Sequence, residues 1–171
     1  MPARDFESIY ADYSRMVYWA AYGVLKNEND AMDVSQNVFL RVMKHMKKLE
    51  TMEDAQLKSW LYRVAVNLCL DGKRKGKHEV LAEELPETPI SDPGALPEAA
   101  ALDAETRAEI RHALEQLPDI YRETVTLHFF SELRYEEIAQ LMGVSEGTVK
   151  SRMSRAKERL CALLKGGALH G

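Results

Sequence analysis

Residues Tyr135–Leu160, YEEIAQLMGVSEGTVKSRMSRAKERL, set a short amphipathic helix, a glycine-containing turn and a second helix in immediate succession. Few folds accommodate that order. Ile138, Leu141 and Met142 recur at helical spacing, Gly143 permits a left-handed turn residue, and Ser145 is placed to cap the helix that follows. In the second helix Val149, Met153, Ala156, Leu160 and Leu163 make one apolar stripe. Opposite them lie Lys150, Ser151, Ser154, Arg155 and Glu158, with Thr148, Arg152 and Lys157 at the flanks. This is the layout of a helix-turn-helix, whose second helix enters the major groove of DNA.

Between Thr148 and Lys165 six Lys or Arg residues face a single acid, Glu158. A cationic run is commonly just a solvated helix face, but here the cations share a face with the turn chemistry that a groove-reading helix needs. Arg and Lys reach guanine acceptors, and Ser and Thr hydroxyls reach bases or phosphates, so Lys150 and Arg155 are the candidate base readers.

The formal net charge of −4 hides an uneven distribution. Residues 1–75 carry a net +2, residues 76–106 a net −7 and residues 107–171 a net +1. An acidic overall balance therefore does not argue against nucleic-acid binding, because the local field steers the ligand. Four of the six prolines (Pro86, Pro89, Pro93, Pro97) fall inside the acidic segment, where helical periodicity is lost. The pattern predicts an all-α chain of two domains, 1–76 and 107–171, joined by a flexible acidic connection over 77–106. Cys69 and Cys161 give neither a disulfide framework nor a metal signature, and both are expected as buried, reduced thiols. MPARDFESIY lacks the apolar core of a secretion signal, and no stretch has the roughly 20 apolar residues of a membrane span, which predicts a cytoplasmic protein with no direct membrane insertion.

In the first domain Phe6, Ile9, Tyr10, Tyr13, Met16, Val17, Ala20 and Val24 follow the spacing of a core-facing stripe. A second helix is expected from near Asp30, with Val34, Val38, Val42, Met46 and Leu49 inside and Asp33, Asn37, Arg41 and Lys44 outside. A third, over about 56–73, turns Leu57, Leu61, Val64, Ala65 and Leu68 inward. Its other face aligns Trp60, Arg63, Asn67, Asp71 and Arg74, running into Lys73, Lys75 and Lys77. An aromatic, a guanidinium and an amide in one row are suited to stacking an unpaired base and holding its phosphates. Trp60 alone reads equally well as core; the basic cluster beyond it favours nucleic acid.

Taken together the two halves resemble a bacterial RNA polymerase sigma factor of the extracytoplasmic-function type in the sigma-70 family. The first half carries the resemblance through residues 30–41, DAMDVSQNVFLR, and 60–67, WLYRVAVN; the second through Leu117-Pro118, residues 135–139, YEEIA, and 147–152, GTVKSR. The resemblance covers nearly the whole chain. It implies a transcription-initiation subunit that binds core RNA polymerase and promoter DNA, reading the −35 element with its second domain and the −10 element, which it helps to melt, with its first. Asp30, Asp33, Gln36, Phe39 and Leu40 would dock on the clamp helices of the largest polymerase subunit, and the flap of the second-largest is a further implied contact. The loop Glu50–Gln56 with Trp60, Arg63, Asn67, Lys73 and Arg74 would take the −10 strand. Lys150, Ser151, Ser154 and Arg155 would read the −35 groove while Thr148 and Arg152 hold phosphates. An anti-sigma factor is a further implied partner. Met32 and Asn37 stand where the family often has acids, and Lys150 where it commonly has Arg, which predicts a less negative polymerase patch and softer discrimination at that base.

Other classes fit poorly. A receiver-type regulator needs alternating strands and helices with a phosphoacceptor Asp at a strand end, and no β-branched strand runs occur. His45, His78, His112, His128 and His170 are scattered, without HExxH, a Gly-rich phosphate loop or paired Cys ligands, so neither catalysis, a metal nor a cofactor is expected. His128, beside two phenylalanines, reads as a packed core residue. Strand opening consumes no ATP in this scheme: each unpaired base costs a few kcal/mol against about 1–3 kcal/mol per stacked base, so polymerase must supply most of the remainder. Without polymerase the chain is therefore expected to bind duplex promoter DNA weakly, and nanomolar specific binding in a low-salt gel shift would contradict this.

Overall fold

From Met16 to Val24 the first helix has no polar face, and a helix that is apolar all round must be enclosed. The computed structural model, which describes residues 3–75 and 103–164 except for the side chains of 74 and 75, encloses it. Helix α1 (Phe6–Leu25) packs on both α2 (Glu28–Lys44) and α4 (Asp54–Lys75), with the short α3 (Met46–Leu49) between them. Beyond the expected stripe, Tyr18, Trp19, Ala21 and Tyr22 are also buried. Their rings interlock, Trp19 meeting Tyr18 at 5.0 Å and Tyr22 at 5.2 Å between centroids, both edge to face. Fully burying one large apolar side chain stabilises by about 1.5–3 kcal/mol, so this segment anchors the unit.

Local chemistry sets the helix ends. Asp5 accepts from the Ser8 amide at the start of α1, and Lys26, left-handed at φ 58°, donates its N–H to the Tyr22 carbonyl at the end. Asn27 then accepts from the Asp30 amide at 2.9 Å, which starts α2 at Glu28 rather than near Asp30. Val34, Val38, Val42 and Leu49 are buried as expected. Met46 is only half-buried, because the helical register breaks at His45 before α3 begins. On α4 the buried stripe is Leu57, Leu61, Ala65 and Cys69, while Val64 and Leu68 are half-buried. The Cys69 Sγ lies 3.9 Å from the Ala21 carbonyl oxygen.

The second unit comprises α5 (Ala104–Gln116), α6 (Asp119–Val125), a π-helical turn (Thr126–Phe130), α7 (Tyr135–Met142) and α8 (Glu146–Leu164). Compact units span Met1–Gly94 and Ala95–Gly171. Most of the connection expected over 77–106 lies outside the described residues, as do Lys77, Lys165, His78 and His170. Its last residues, 103–106, instead begin α5: the Asp103 carboxylate accepts from the Thr106 amide at 2.7 Å, which holds its acid below the usual carboxylate range. Asp103 and Glu105 thus belong to a helix N-terminus rather than to the connection. All regular structure among the described residues is helical.

Helices α5, α6 and α7 all pack on α8, through Val149, Met153 and Ala156. Leu160 is half-buried and Leu163 is 46% exposed, so the stripe does not continue to the end of α8; Cys161 beside it is exposed, unlike Cys69. No apolar pattern marks Arg122 for the interior, yet it is fully buried. Its guanidinium donates to the Leu117 carbonyl at 2.7 Å and to the Asp119 carboxylate at 2.5 Å, tying the end of α5 to α6 across Leu117-Pro118. Removing Arg122 leaves the buried Leu117 carbonyl without its donor and a void where the side chain stood, while the exposed Asp119 carboxylate returns to water. Arg122→Ala is expected to lower the stability of the second unit by about 2 kcal/mol, read as an earlier urea transition by circular dichroism.

Candidate nucleic-acid interface

In the second unit the turn between α7 and α8 is built as the sequence predicts. Gly143 closes α7 at φ 70° and ψ 36°, and a Cβ built there meets nothing within 4 Å. Its requirement is torsional rather than steric. Ser145 Oγ accepts from the Thr148 amide at 3.1 Å and lies 3.0 Å from the Thr148 hydroxyl, fixing the first turn of α8. At the start of α7 the Glu137 carboxylate accepts from the Arg134 amide at 3.0 Å. With Val149, Met153 and Ala156 clamped underneath, Lys150, Ser151, Ser154 and Arg155 are all exposed in one row, and Thr148 and Arg152 are half-buried at its edges.

The cations of α8 are not equivalent. Lys157 lies over the Phe129 ring at 5.8 Å and Arg159 over Tyr121 at 5.2 Å, so both side chains return to their own unit. Such contacts contribute about 0.5–1 kcal/mol each at exposed sites, enough to bias the rotamer. Phe129 reaches Lys157 from the π-helical turn, where the backbone takes an extra residue and Glu132 turns left-handed at φ 60°. His128 is half-buried there, not fully packed: its Nδ1–H donates to the Leu133 carbonyl at 2.9 Å and its ring sits 4.7 Å from that of Tyr135.

The α4 face in the first unit presents Arg63, Asn67, Asp71 and Lys73 exposed, with Trp60 half-buried at the head of the row. The side chain of Arg74 lies outside the described residues. Trp60 is contacted by a residue that sequence spacing did not single out, His45, whose ring meets the indole edge to face at 5.8 Å. Preceding α4, the loop expected over Glu50–Gln56 shrinks to a few residues, because α4 already starts at Asp54. It is pinned at both ends. The Arg4 amide donates to the Glu50 carbonyl at 3.0 Å, and the Tyr13 hydroxyl donates to the Asp54 carboxylate while accepting from the Arg4 guanidinium at 3.0 Å.

On the α2 face Asp30, Asp33 and Leu40 are half-buried and Gln36 is exposed. Phe39 is the correction. It is 3% exposed, packed 4.9 Å from Tyr10 and edge to face with Phe6, so it positions α2 and offers no ring to a partner. Met43 takes that exposure instead, at 42% and one turn beyond Leu40. The three- and four-residue spacing of Gln36, Leu40 and Met43 was the available signal. Among the described residues no group of three or more acid, His or Cys side chains could hold a metal, and no helix is long and apolar enough to cross a membrane.

Comparison with known proteins follows this division. The family model for Sigma-70 region 2 matches residues 9–79, and that for Sigma-70, region 4 matches residues 107–160. The chain is 34% identical to the ECF RNA polymerase sigma factor SigM of Bacillus subtilis, over 94% of this chain and 96% of that protein. It is 34% identical to SigE of Mycolicibacterium smegmatis, over 94% of this chain but only 61% of that longer protein, and 30% identical to the sigma-H factor of Pseudomonas aeruginosa, over 92% and 84%. Among solved structures, the sigma factor RpoE of Bartonella quintana, crystallised with the anti-sigma factor NepR, superposes with a TM-score of 0.65 at 25% identity, covering 94% of this chain and 97% of that one. CnrH, solved with the cytosolic domain of CnrY, shares the fold at TM-score 0.61 and 23% identity.

The pinned loop makes a pH prediction. Burial pushes the Asp54 carboxyl upward, but hydrogen bonds from Tyr13 and Lys58 and the charges of Lys58 and Arg4 outweigh it and hold the acid below its usual range. Burial, then the Asp54 contact, raise the Tyr13 phenol above its ordinary value. The depressed acid contributes stability that is present above about pH 4 and lost as pH falls further; the raised phenol contributes stability present below about pH 10 and lost above it. Tyr13→Phe is expected to destabilise by about 1 kcal/mol, a difference constant from about pH 5 to 9 and shrinking below about pH 4, measured by urea melts across pH.

Proposed function

The chain belongs to the extracytoplasmic-function sigma factors of the sigma-70 family, and on that premise we propose which of its residues perform each step of initiation. It associates with core RNA polymerase and directs promoter-specific initiation by recognising −35 and −10 elements and assisting melting. The observation that supports the assignment of residues is that one chain holds both a helix-turn-helix whose second helix exposes a cationic row and a separate helix with an aromatic, an Arg and an Asn in line.

In this proposal the second unit lays α8 in the −35 major groove. Arg155 and Lys150 reach base edges, Ser151 and Ser154 bond bases or phosphates, and Thr148 and Arg152 hold the backbone. Lys157 and Arg159 contribute little, being occupied by Phe129 and Tyr121. The first unit takes the −10 strand on Trp60, Arg63, Asn67, Lys73 and Arg74. Stacking on the indole offsets part of the unpairing free energy, and phosphate contacts and polymerase supply the rest. The pinned loop between α3 and α4 borders that surface and shapes which base is accepted.

Polymerase docks on the α2 face through Asp30, Asp33, Gln36 and Leu40, extended by Met43 in place of Phe39. An exposed methionine is suited to such a surface because its side chain adapts to a partner's contour. The flap of the second-largest subunit docks on the second unit. The domain boundaries fall near residues 76 and 103, the second where the Asp103 cap starts α5, the chain acts in the cytoplasm beside polymerase, and it has no catalytic step of its own. An anti-sigma factor is a further partner, as NepR is for the Bartonella relative.

Core polymerase stripped of other sigma factors should gain promoter-dependent run-off transcription from genomic fragments when this chain is added, and its absence would defeat the proposal. On a promoter recovered this way, Arg155→Ala is expected to lose about 1–3 kcal/mol, selectively at one −35 base pair. Lys157→Ala should change affinity several-fold less, compared by competition binding at fixed salt.

A further inference from the structure

Trp60 is half-buried, so core packing alone does not fix its indole, but the indole has a ring neighbour. The ring of His45 stands edge to face with it, centroids 5.8 Å apart and planes at 67°. His45 occupies the residue where α2 ends and α3 begins. Its N–H donates to the carbonyls of Arg41 and Val42, both at 3.1 Å, and its carbonyl accepts from the amides of Lys48 and Leu49, both at 3.0 Å. Two helices therefore hold its backbone at φ −115° and ψ 22°, which fixes the direction in which the imidazole leaves the chain. A ring that is itself exposed is thereby aimed at the indole.

We propose that His45 is a positioning residue for Trp60, its imidazole holding the indole in the orientation from which an unpaired promoter base is stacked. The inference rests on the reading of Trp60 as a strand-contacting residue. His45 touches no DNA in this scheme. It acts by restricting indole rotamers before the strand arrives, so that less side-chain freedom is lost on stacking. Edge-to-face pairs favour one mutual arrangement over others, which gives the restraint its direction. Because the imidazole is exposed, its removal uncovers little core, and a purely structural role predicts a change in melting temperature without a selective defect in strand opening.

The test uses full-length chain with core polymerase on a promoter fragment recovered in the run-off assay, carrying 2-aminopurine in the −10 element to report unstacking. Acrylamide quenching of tryptophan emission in the free chain supplies an independent readout, since Trp19 is fully buried and Trp60 is not. His45→Ala is expected to increase the quenchable emission and to lower the rate of strand opening about three- to tenfold, with polymerase binding unchanged. His45→Phe, which keeps a ring edge, should restore both. His45→Ala added to Trp60→Ala should cause no further loss, the signature of two residues acting as one unit. Normal opening or unchanged quenching in His45→Ala, alongside a defective Trp60→Ala, would overturn the inference and leave the reading of Trp60 intact. Normal opening by Trp60→Ala would instead remove the reading of Trp60 and this inference with it. A His45→Ala defect that Phe does not rescue and that tracks a lowered melting temperature would also overturn it.

Discussion

A helix segment without a polar face cannot be left against water, and in this chain that segment is Met16–Val24. Its enclosure obliges α2 and α4 to pack against α1 and each other and fixes which way each of them faces. The direction of Trp60, Arg63 and Asn67 follows from Leu57, Leu61, Ala65 and Cys69 being pulled inward on the same helix. The direction of Gln36, Leu40 and Met43 follows in the same way from Val34, Val38 and Val42. Two outward surfaces of different chemistry are thus set by one inward requirement, and neither needs contacts of its own to be oriented.

The second unit reaches a comparable end with a smaller core. Val149, Met153 and Ala156 hold α8, and the rest of the orientation comes from polar devices: the left-handed Gly143, the Ser145 cap and the buried guanidinium of Arg122. Short helices gain little from propensity alone, so these caps and the buried donor do much of the fixing. Electrostatics is then distributed by aromatic neighbours. Phe129 and Tyr121 draw Lys157 and Arg159 back, leaving Lys150 and Arg155 as the outward cations of the exposed row. Charge counting along α8 overstates the number of cations free to meet a phosphate backbone, and the aromatic contacts correct it.

Much of this was legible beforehand. The turn at Gly143, the cap at Ser145 and the α8 stripe through Ala156 depend on residues within a few positions of each other, where spacing and torsion preferences act directly. Helix starts were less legible: Asn27 and Asp103 cap three and four residues before the starts expected near 30 and at 107. Phe39 and Met43 exchanged roles because both satisfy a helical spacing, and only the presence of Phe6 and Tyr10 across the interface selects Phe39 for burial. Arg122 was illegible, since a buried guanidinium carries no hydrophobic signal and its acceptor, the Leu117 carbonyl, belongs to every sequence alike.

Sequence by itself determined the all-helical class, the helix-turn-helix, the two exposed rows and the family, because each is written in short-range periodicity or in residue identity at fixed spacing. Tertiary structure alone decided which aromatic is core and which apolar residue is surface, which cations are folded back, how Arg4, Tyr13 and Asp54 pin the loop ahead of α4, and that His45 stands against Trp60. Those outcomes depend on residues brought together from distant positions, and no local pattern encodes the distance between them.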